Sequence, residues 1–209
     1  ATGTALYEAY GMSECSTFIS ASPSSPARSG TLGRPQTGRR VAIVDETGPV
    51  PLGAEGTIAV HRCDPGLMLG YLNAPDETAA RFRGDWFLTG DQGRMDEQSC
   101  ITYAGRADDM MNAGGYRVSP LEVEAALARC PGIVAVGVTD VEIKQDARII
   151  AAFYTSASDL DEAALKAYAE QNLARYKQPK LFHRLDALPT NPNGKLSRRA
   201  LRAQFKAKT

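Results

Sequence analysis

Three short clusters in the chain carry side chains able to handle phosphate, ribose or a carboxylate. Tyr10, Ser13 and Glu14 fall within five residues, in YGMSE. An aromatic ring can stack on a base, a hydroxyl can meet a phosphate, and a carboxylate can hold a hard cation such as Mg2+ through oxygen. The same five residues also read as an ordinary polar turn. Asp91 closes WFLTGD, just past an aromatic and apolar run that looks like a strand end. A carboxylate there can accept hydrogen bonds from the two neighbouring hydroxyls of a ribose, although a plain turn aspartate fits the spacing too. Lys195 follows the turn-forming Pro-Asn-Gly of PTNPNGKLSR, on a stretch that reads as a mobile, solvated loop.

Between Asp91 and Lys195 lies GRADDMMNAGGYRVSP, residues 105–120, which packs Arg106, the adjacent acids Asp108 and Asp109, and the Gly114-Gly115 pair into one segment. A strand-like stretch ends at Ala104 before it and a helix starts at Ser119 after it, so the segment reads as a joint. Two acids in a turn are equally a solvated loop.

The elements that must hold these residues differ on the two sides of the joint. Before it, residues 6–10 predict a short strand leaving the core, and 20–38 an irregular connection rich in Ser, Pro and Gly. Residues 40–45 and 56–62 predict strands of a small antiparallel sheet or barrel, 74–82 a short helix capped by Asp76, and 99–104 a strand. After it, Ser119, Pro120 and Glu122 form a capping box, with Val123, Ala126, Leu127 and Cys130 on one helical face until Pro131-Gly132 stops the helix. Strands are predicted at 134–138 and 148–154, with DVEIKQDA as the hairpin loop between them. A helix is predicted over 161–176, with Leu165, Tyr168, Ala169 and Leu173 as its stripe, ending before Pro179. A strand at 181–185 and a terminal helix over 196–206 follow, the helix capped by Ser197 with Leu201 and Phe205 as an i,i+4 pair. The expected fold is α+β: a small antiparallel β-barrel-like subdomain, then a compact α+β lid with a three-stranded sheet and helices.

Composition limits the possibilities. A hydrophobic content of 43%, a charged content of 23% and a balance of 24 basic against 24 acidic residues are those of an ordinary globular protein. Nothing in that balance favours a nucleic-acid or membrane partner, and no apolar run reaches the roughly 20 residues of a membrane span, so a cytoplasmic location is expected. Cys15, Cys63, Cys100 and Cys130 are widely spread with no C-x-x-C pair, which predicts reduced, mostly buried thiols rather than zinc ligands or disulfides. The chain opens at Ala1 in what reads as the middle of an element, so it is expected to be the carboxy-terminal part of a longer protein.

Taken in order, YGMSE at 10–14, GYL at 70–72, WFLTGD at 86–91, GRADDMMNAGGYRVSPLEVE at 105–124 and PTNPNGKLSR at 189–198 resemble the later core motifs of the adenylate-forming superfamily, which includes acyl- and aryl-CoA synthetases, peptide-synthetase adenylation domains and luciferases. The family's phosphate loop, which lies upstream of YGMSE, is not in this sequence. The resemblance implies that residues 1–105 are the end of the large AMP-binding domain and 106–209 the small lid domain, with a hinge at 105–109. It implies an ATP-dependent ligase that converts a carboxylic acid to an acyl-adenylate and transfers the acyl group to CoA, inactive in this part alone. By the same resemblance Glu14 holds Mg2+ on the phosphates, Ser13 touches phosphate, Tyr10 lies against adenine, and Asp91 and Arg106 hold the ribose. Lys195 bridges the carboxylate and the α-phosphate, Asp108 with Asp109 forms the hinge, and Gly114, Gly115 and Tyr116 line the pantetheine path. Cys15, Thr17 and Phe18 border the acyl pocket. The implied partners are the acid, ATP, CoA, the amino-terminal domain of the same protein and a lysine acetyltransferase acting on Lys195. The basic tail that includes Arg198, Arg199 and Arg202 serves either the 3′-phosphate of CoA or solvation. A peptide-synthetase-like adenylation domain and a non-enzymatic nucleotide- or partner-binding module remain open.

Overall fold

The computed structural model describes residues 4–113, 115–144 and 147–206, and the chain forms two compact units, Ala1–Ala107 and Asp108–Thr209. Each has its own apolar core, centred on Phe18, Ile58 and Phe87 in the first and on Val123, Leu127, Val138 and Ile150 in the second.

In the first unit, β1 (Ala9–Met12) and β2 (Ser16–Ser20) form a hairpin, with the short β3 (Arg34–Pro35) alongside β2. The strand predicted at 6–10 therefore lies later, and YGMSE runs from its end into the turn at 13–15. Gly11 is required there because a Cβ would sit 2.4 Å from the Ser16 carbonyl oxygen of the opposing strand. A second sheet is built from β4 (Val41–Val44), β5 (Glu55–His61), β6 (Phe82–Arg83), β7 (Trp86–Met95) and β8 (Ile101–Arg106), all antiparallel. The ten-residue β7 is its spine, pairing with β5 along one side and with β6 and then β8 along the other. The expected barrel-like closure is not found among the described residues. The rim strands β4 and β6, of four and two residues, are too short to bring the sheet edges together.

Between β5 and β6 lies α1 (Pro75–Ala80). Its cap position is held by Ala74 and not by Asp76, and no side chain caps it. Pro75 has the fixed φ that suits a first helical residue, so the helix starts before the aspartate, which becomes a first-turn acid.

The second unit opens with a hairpin of β9 (Met111–Ala113) and β10 (Tyr116–Val118), then α2 (Pro120–Leu127), whose Val123 and Leu127 are buried. Ser119 caps α2 by accepting from the Glu122 amide at 3.3 Å, as its spacing predicts. A three-stranded sheet follows, with β11 (Ala135–Lys144) antiparallel to β12 (Ala147–Thr155), and β13 (Leu181–Arg184) parallel to β12. The strands run further into DVEIKQDA than its polarity suggests, because Asp140 is buried by ion pairs to Arg148 and Arg202 at 3.0 Å. Helix α3 (Glu162–Asn172) stops earlier than predicted, and a single 3-10 turn at Arg175–Lys177 leads to Pro179. Helix α4 (Arg198–Lys206) closes the unit, with Ser197 Oγ accepting from the Ala200 amide and Leu201 fully buried. No helix among the described residues is long and apolar enough to cross a membrane. Cys15, Cys100 and Cys130 are buried and Cys63 is exposed, all as free thiols.

Candidate active site

Asp91 does not lie past a strand end, as its sequence spacing implied, but inside β7. Across from it the register jumps: Thr57 pairs with Gln92 and Ala59 with Leu88, so Thr89, Gly90 and Asp91 oppose Ile58 alone. Such a bulge re-aims side chains without ending the strand. Gly90 allows it by taking φ +83, and Thr89 pins it, its hydroxyl donating to the Ile58 carbonyl at 2.7 Å and accepting from the Asp91 amide at 3.1 Å.

Three side chains converge on the Asp91 carboxylate. Tyr10 donates its hydroxyl to Oδ2, Tyr103 approaches Oδ1 at 3.5 Å, and Arg106 Nη1 stands 3.3 Å from Oδ1. Burial, and then the bond to Asp91, pushes the Tyr10 phenol well above the ordinary tyrosine range, so it remains a neutral donor. The Tyr10 ring packs edge-on to Phe18 at 5.2 Å, which fixes its plane. The carboxylate is only 11% exposed while the Arg106 side chain is 47% exposed, so the acid is set and the cation is open to solvent. Three of the nucleotide candidates, Tyr10, Asp91 and Arg106, thus form one cluster.

Ser13 and Glu14 occupy the turn between β1 and β2, with Ser13 exposed. Tyr71 donates to Glu14 Oε1 at 2.8 Å, and the Met68 amide donates to the Glu14 carbonyl at 2.7 Å, so this acid is oriented from the GYL segment. A carboxylate oriented through one oxygen suits a hydrated Mg2+ that takes its remaining ligands from water and phosphate. The described residues contain no cluster of three or more His, Cys, Asp or Glu side chains that could hold a metal by themselves. The base of the turn is anchored by Arg39, which donates to the Thr17 carbonyl at 3.1 Å and to the Cys15 carbonyl, and pairs with the fully buried Asp64 carboxylate at 3.0 Å. Asp64 also accepts from the amides of Arg40 and Gly66 at 2.7 and 2.9 Å. Cys15 and Phe18 lie entirely within this core, where burial, with the Glu14 charge second, pushes the Cys15 thiol up to about 12.

In the second unit Lys195 is exposed, on a loop that is hydrogen-bonded within itself. The Asn191 side-chain oxygen accepts from the amides of Asn193 and Lys195 at 3.0 and 2.9 Å, and the Asn191 amide donates to the Lys195 carbonyl at 2.8 Å. The Ser197 amide donates to the Pro189 carbonyl at 2.9 Å, which closes the loop at its base. Asp108 is exposed in the turn at 107–109 that begins the unit, while Asp109 accepts from Arg198 Nη1 at 3.1 Å.

Gly114 lies outside the described residues. Its neighbour Gly115 takes φ +86 at the tip of the β9–β10 hairpin with open space where a Cβ would be, a backbone that side chains resist. Tyr116 is 57% exposed and stacks on Tyr176 at 4.6 Å and 29°. Beside that stack is a cleft of about 220 Å3 whose lining includes Arg148, Arg175 and Lys180.

Tyr71, Tyr103, Thr89, Arg39, Asp64 and Asn191 escaped the sequence reading, because each acts through a partner far along the chain or through backbone. Only the hydroxyl and amide types within quoted motifs, Thr89 in WFLTGD, Tyr71 in GYL and Asn191 in PTNPNGKLSR, carried a signal.

The family profile described as AMP-binding enzyme matches residues 1–72, and that described as AMP-binding enzyme C-terminal domain matches residues 122–195. The chain is 34% identical to the mitochondrial acyl-coenzyme A synthetase ACSM5 of Homo sapiens, over 97% of this chain and 37% of that protein. It is 35% identical to the 2-succinylbenzoate–CoA ligase of Geobacillus kaustophilus, over 96% of this chain and 41% of that protein. Among solved structures, ATP-bound MatB from Rhodopseudomonas palustris superposes with a TM-score of 0.88 at 32% identity, covering 98% of this chain and 41% of that one. The chain therefore spans about two fifths of the length of the relatives it matches. The two profiles follow one another in the order of the two units, and with a nucleotide-type cluster in the first of these, the chain belongs to the adenylate-forming superfamily.

Proposed function

We propose that the complete enzyme to which these residues belong is an ATP-dependent carboxylate–CoA ligase. It joins a carboxylic acid to the α-phosphate of ATP, releases pyrophosphate, and passes the acyl group to the thiol of CoA. The observation that carries this reading is the Asp91 cluster, a buried acceptor set inside a strand with an open guanidinium and a fixed aromatic ring beside it. A ribose offers two adjacent hydroxyl donors, and its base offers a face for the ring. The relatives named acyl-coenzyme A synthetase and 2-succinylbenzoate–CoA ligase support CoA as the acceptor.

In this reading Asp91 and Arg106 take the ribose, Tyr10 lies against the adenine, Ser13 takes a phosphate oxygen, and Glu14 the Mg2+ that neutralises the phosphates. Both reactants of the first step are anions, so a mobile cation must enter between them as charge builds on the α-phosphate. Lys195 does this, as a compact ammonium on a flexible stem carried by a hydrogen-bonded loop. The second step needs the ammonium withdrawn and a thiol brought in. We assign the turn to a hinge at 105–109, within the boundary between domains 1–105 and 106–209. Asp108 absorbs the backbone change, and Gly114, Gly115 and Tyr116 line the thiol path. The cations of the cleft beside Tyr116 suit the phosphates of CoA. Acetylation of Lys195 removes the charge that adenylation uses.

The test uses the complete enzyme with an accepted acid. Lys195→Ala should lower acyl-adenylate formation, read as pyrophosphate release, by at least about 100-fold. Thioester formation from supplied acyl-adenylate should change little. Equal loss of both half-reactions refutes the assignment.

A further inference from the structure

We propose that Arg198 is a positioning residue that makes the Lys195 loop and the residue beside the pivot one mechanical body. Arg198 is the first residue of α4 and stands three positions after Lys195. Its guanidinium uses all three nitrogens. Nη2 donates to Glu124 Oε1 and Oε2 at 2.7 and 2.8 Å, Nη1 to Asp109 Oδ2 at 3.1 Å, and Nε to the Val138 carbonyl at 3.1 Å. The Val138 amide returns a bond to Glu124 Oε1 at 2.8 Å. One side chain, only 10% exposed, therefore ties α4 to α2, to β11 and to the segment that follows Asp108.

The geometry requires an arginine. A planar fork meets two carboxylates and a carbonyl together, whereas an ammonium keeps the charge but offers no fixed set of directions. The consequence reaches Lys195 through backbone. Its loop is bonded within itself by Asn191, closed at Ser197, and continued at once by Arg198. The inference rests on the adenylation reading of Lys195 and adds two points to it. The lysine is placed by Arg198, and Asp109 moves with the lid because it is held to α4, which confines the turn to Asp108.

The experiment measures both half-reactions of the complete enzyme for Arg198→Lys and for Asp109→Ala, with Lys195→Ala alongside. A misplaced reacting group loses roughly ten- to a hundredfold in rate. Arg198→Lys should show that loss in kcat for adenylation, with KM for ATP and thioester formation from supplied adenylate each within about twofold of the parent. Asp109→Ala should move in the same direction by less. Arg198→Lys that fails to fold is replaced by the triple variant Arg198→Met, Glu124→Gln and Asp109→Asn, which removes the cation together with both acids it pairs and is judged by the same split. Unchanged adenylation in these variants beside an inactive Lys195→Ala overturns this inference alone, as does an equal fall in both half-reactions. An active Lys195→Ala overturns the adenylation reading and the inference with it.

Discussion

Asp91 and Glu124 are both acids with little access to water, and their surroundings give them different work. Asp91 is surrounded by donors from Tyr10, Tyr103 and Arg106, the last of them on a side chain 47% exposed, and in the proposed function it takes the ribose. Glu124 is closed off by Arg198 and the Val138 amide, and its role is to hold structure. Burial pushes the Glu124 carboxyl above the usual range, and the Val138 amide and Arg198 pull it back only in part. A carboxyl whose folded value is raised favours the folded state fully below its unfolded value, and that contribution is lost as pH rises through the raised one. Denaturant unfolding of the chain and of Glu124→Gln, compared from about pH 4 to pH 7, should therefore show the parent losing ground to the variant as pH rises. An advantage of the parent that grows with pH would mean that the Arg198 ion pair outweighs burial.

At the scale of elements, the bulge in β7 is what re-aims Asp91 without ending the strand. Thr89 is fully buried and satisfies two backbone groups, the Ile58 carbonyl and the Asp91 amide. Thr89→Val keeps the shape and leaves both groups unpaired, which should cost about 1–3 kcal/mol of stability. In the complete enzyme it should also raise KM for ATP, because Asp91 loses its seat. Equilibrium unfolding and ATP kinetics check the two halves separately, and an unchanged KM would detach the bulge from nucleotide binding. The motif WFLTGD made Asp91 visible in the sequence, but it placed the acid past a strand, because Gly-Asp ordinarily ends one. Long-range register with β5 decided otherwise, and no local pattern records it. The helices were more legible. Ser119 and Ser197 announce α2 and α4 through local capping chemistry, whereas Asp76 misled because Pro75 took the first helical position. The Lys195 loop reads as solvated by composition, and only the Asn191 side chain turns it into a bonded structure.

The whole chain passes from one unit to the other once, at Ala107–Asp108, and each unit closes its own core. The ribose candidates all belong to the first unit, while Lys195 and its bracing triad all belong to the second. In the proposed adenylation, the single peptide link sets the local concentration at which the lysine meets the nucleotide. Tethered groups commonly reach millimolar effective concentrations. Severing the complete enzyme at this link should leave two folded pieces whose adenylation rate falls with dilution and recovers when either piece is added in excess, whereas the intact enzyme's turnover per molecule stays constant. A cut enzyme whose rate per molecule ignores dilution would show that surface contact, and not the tether, keeps the lysine at hand.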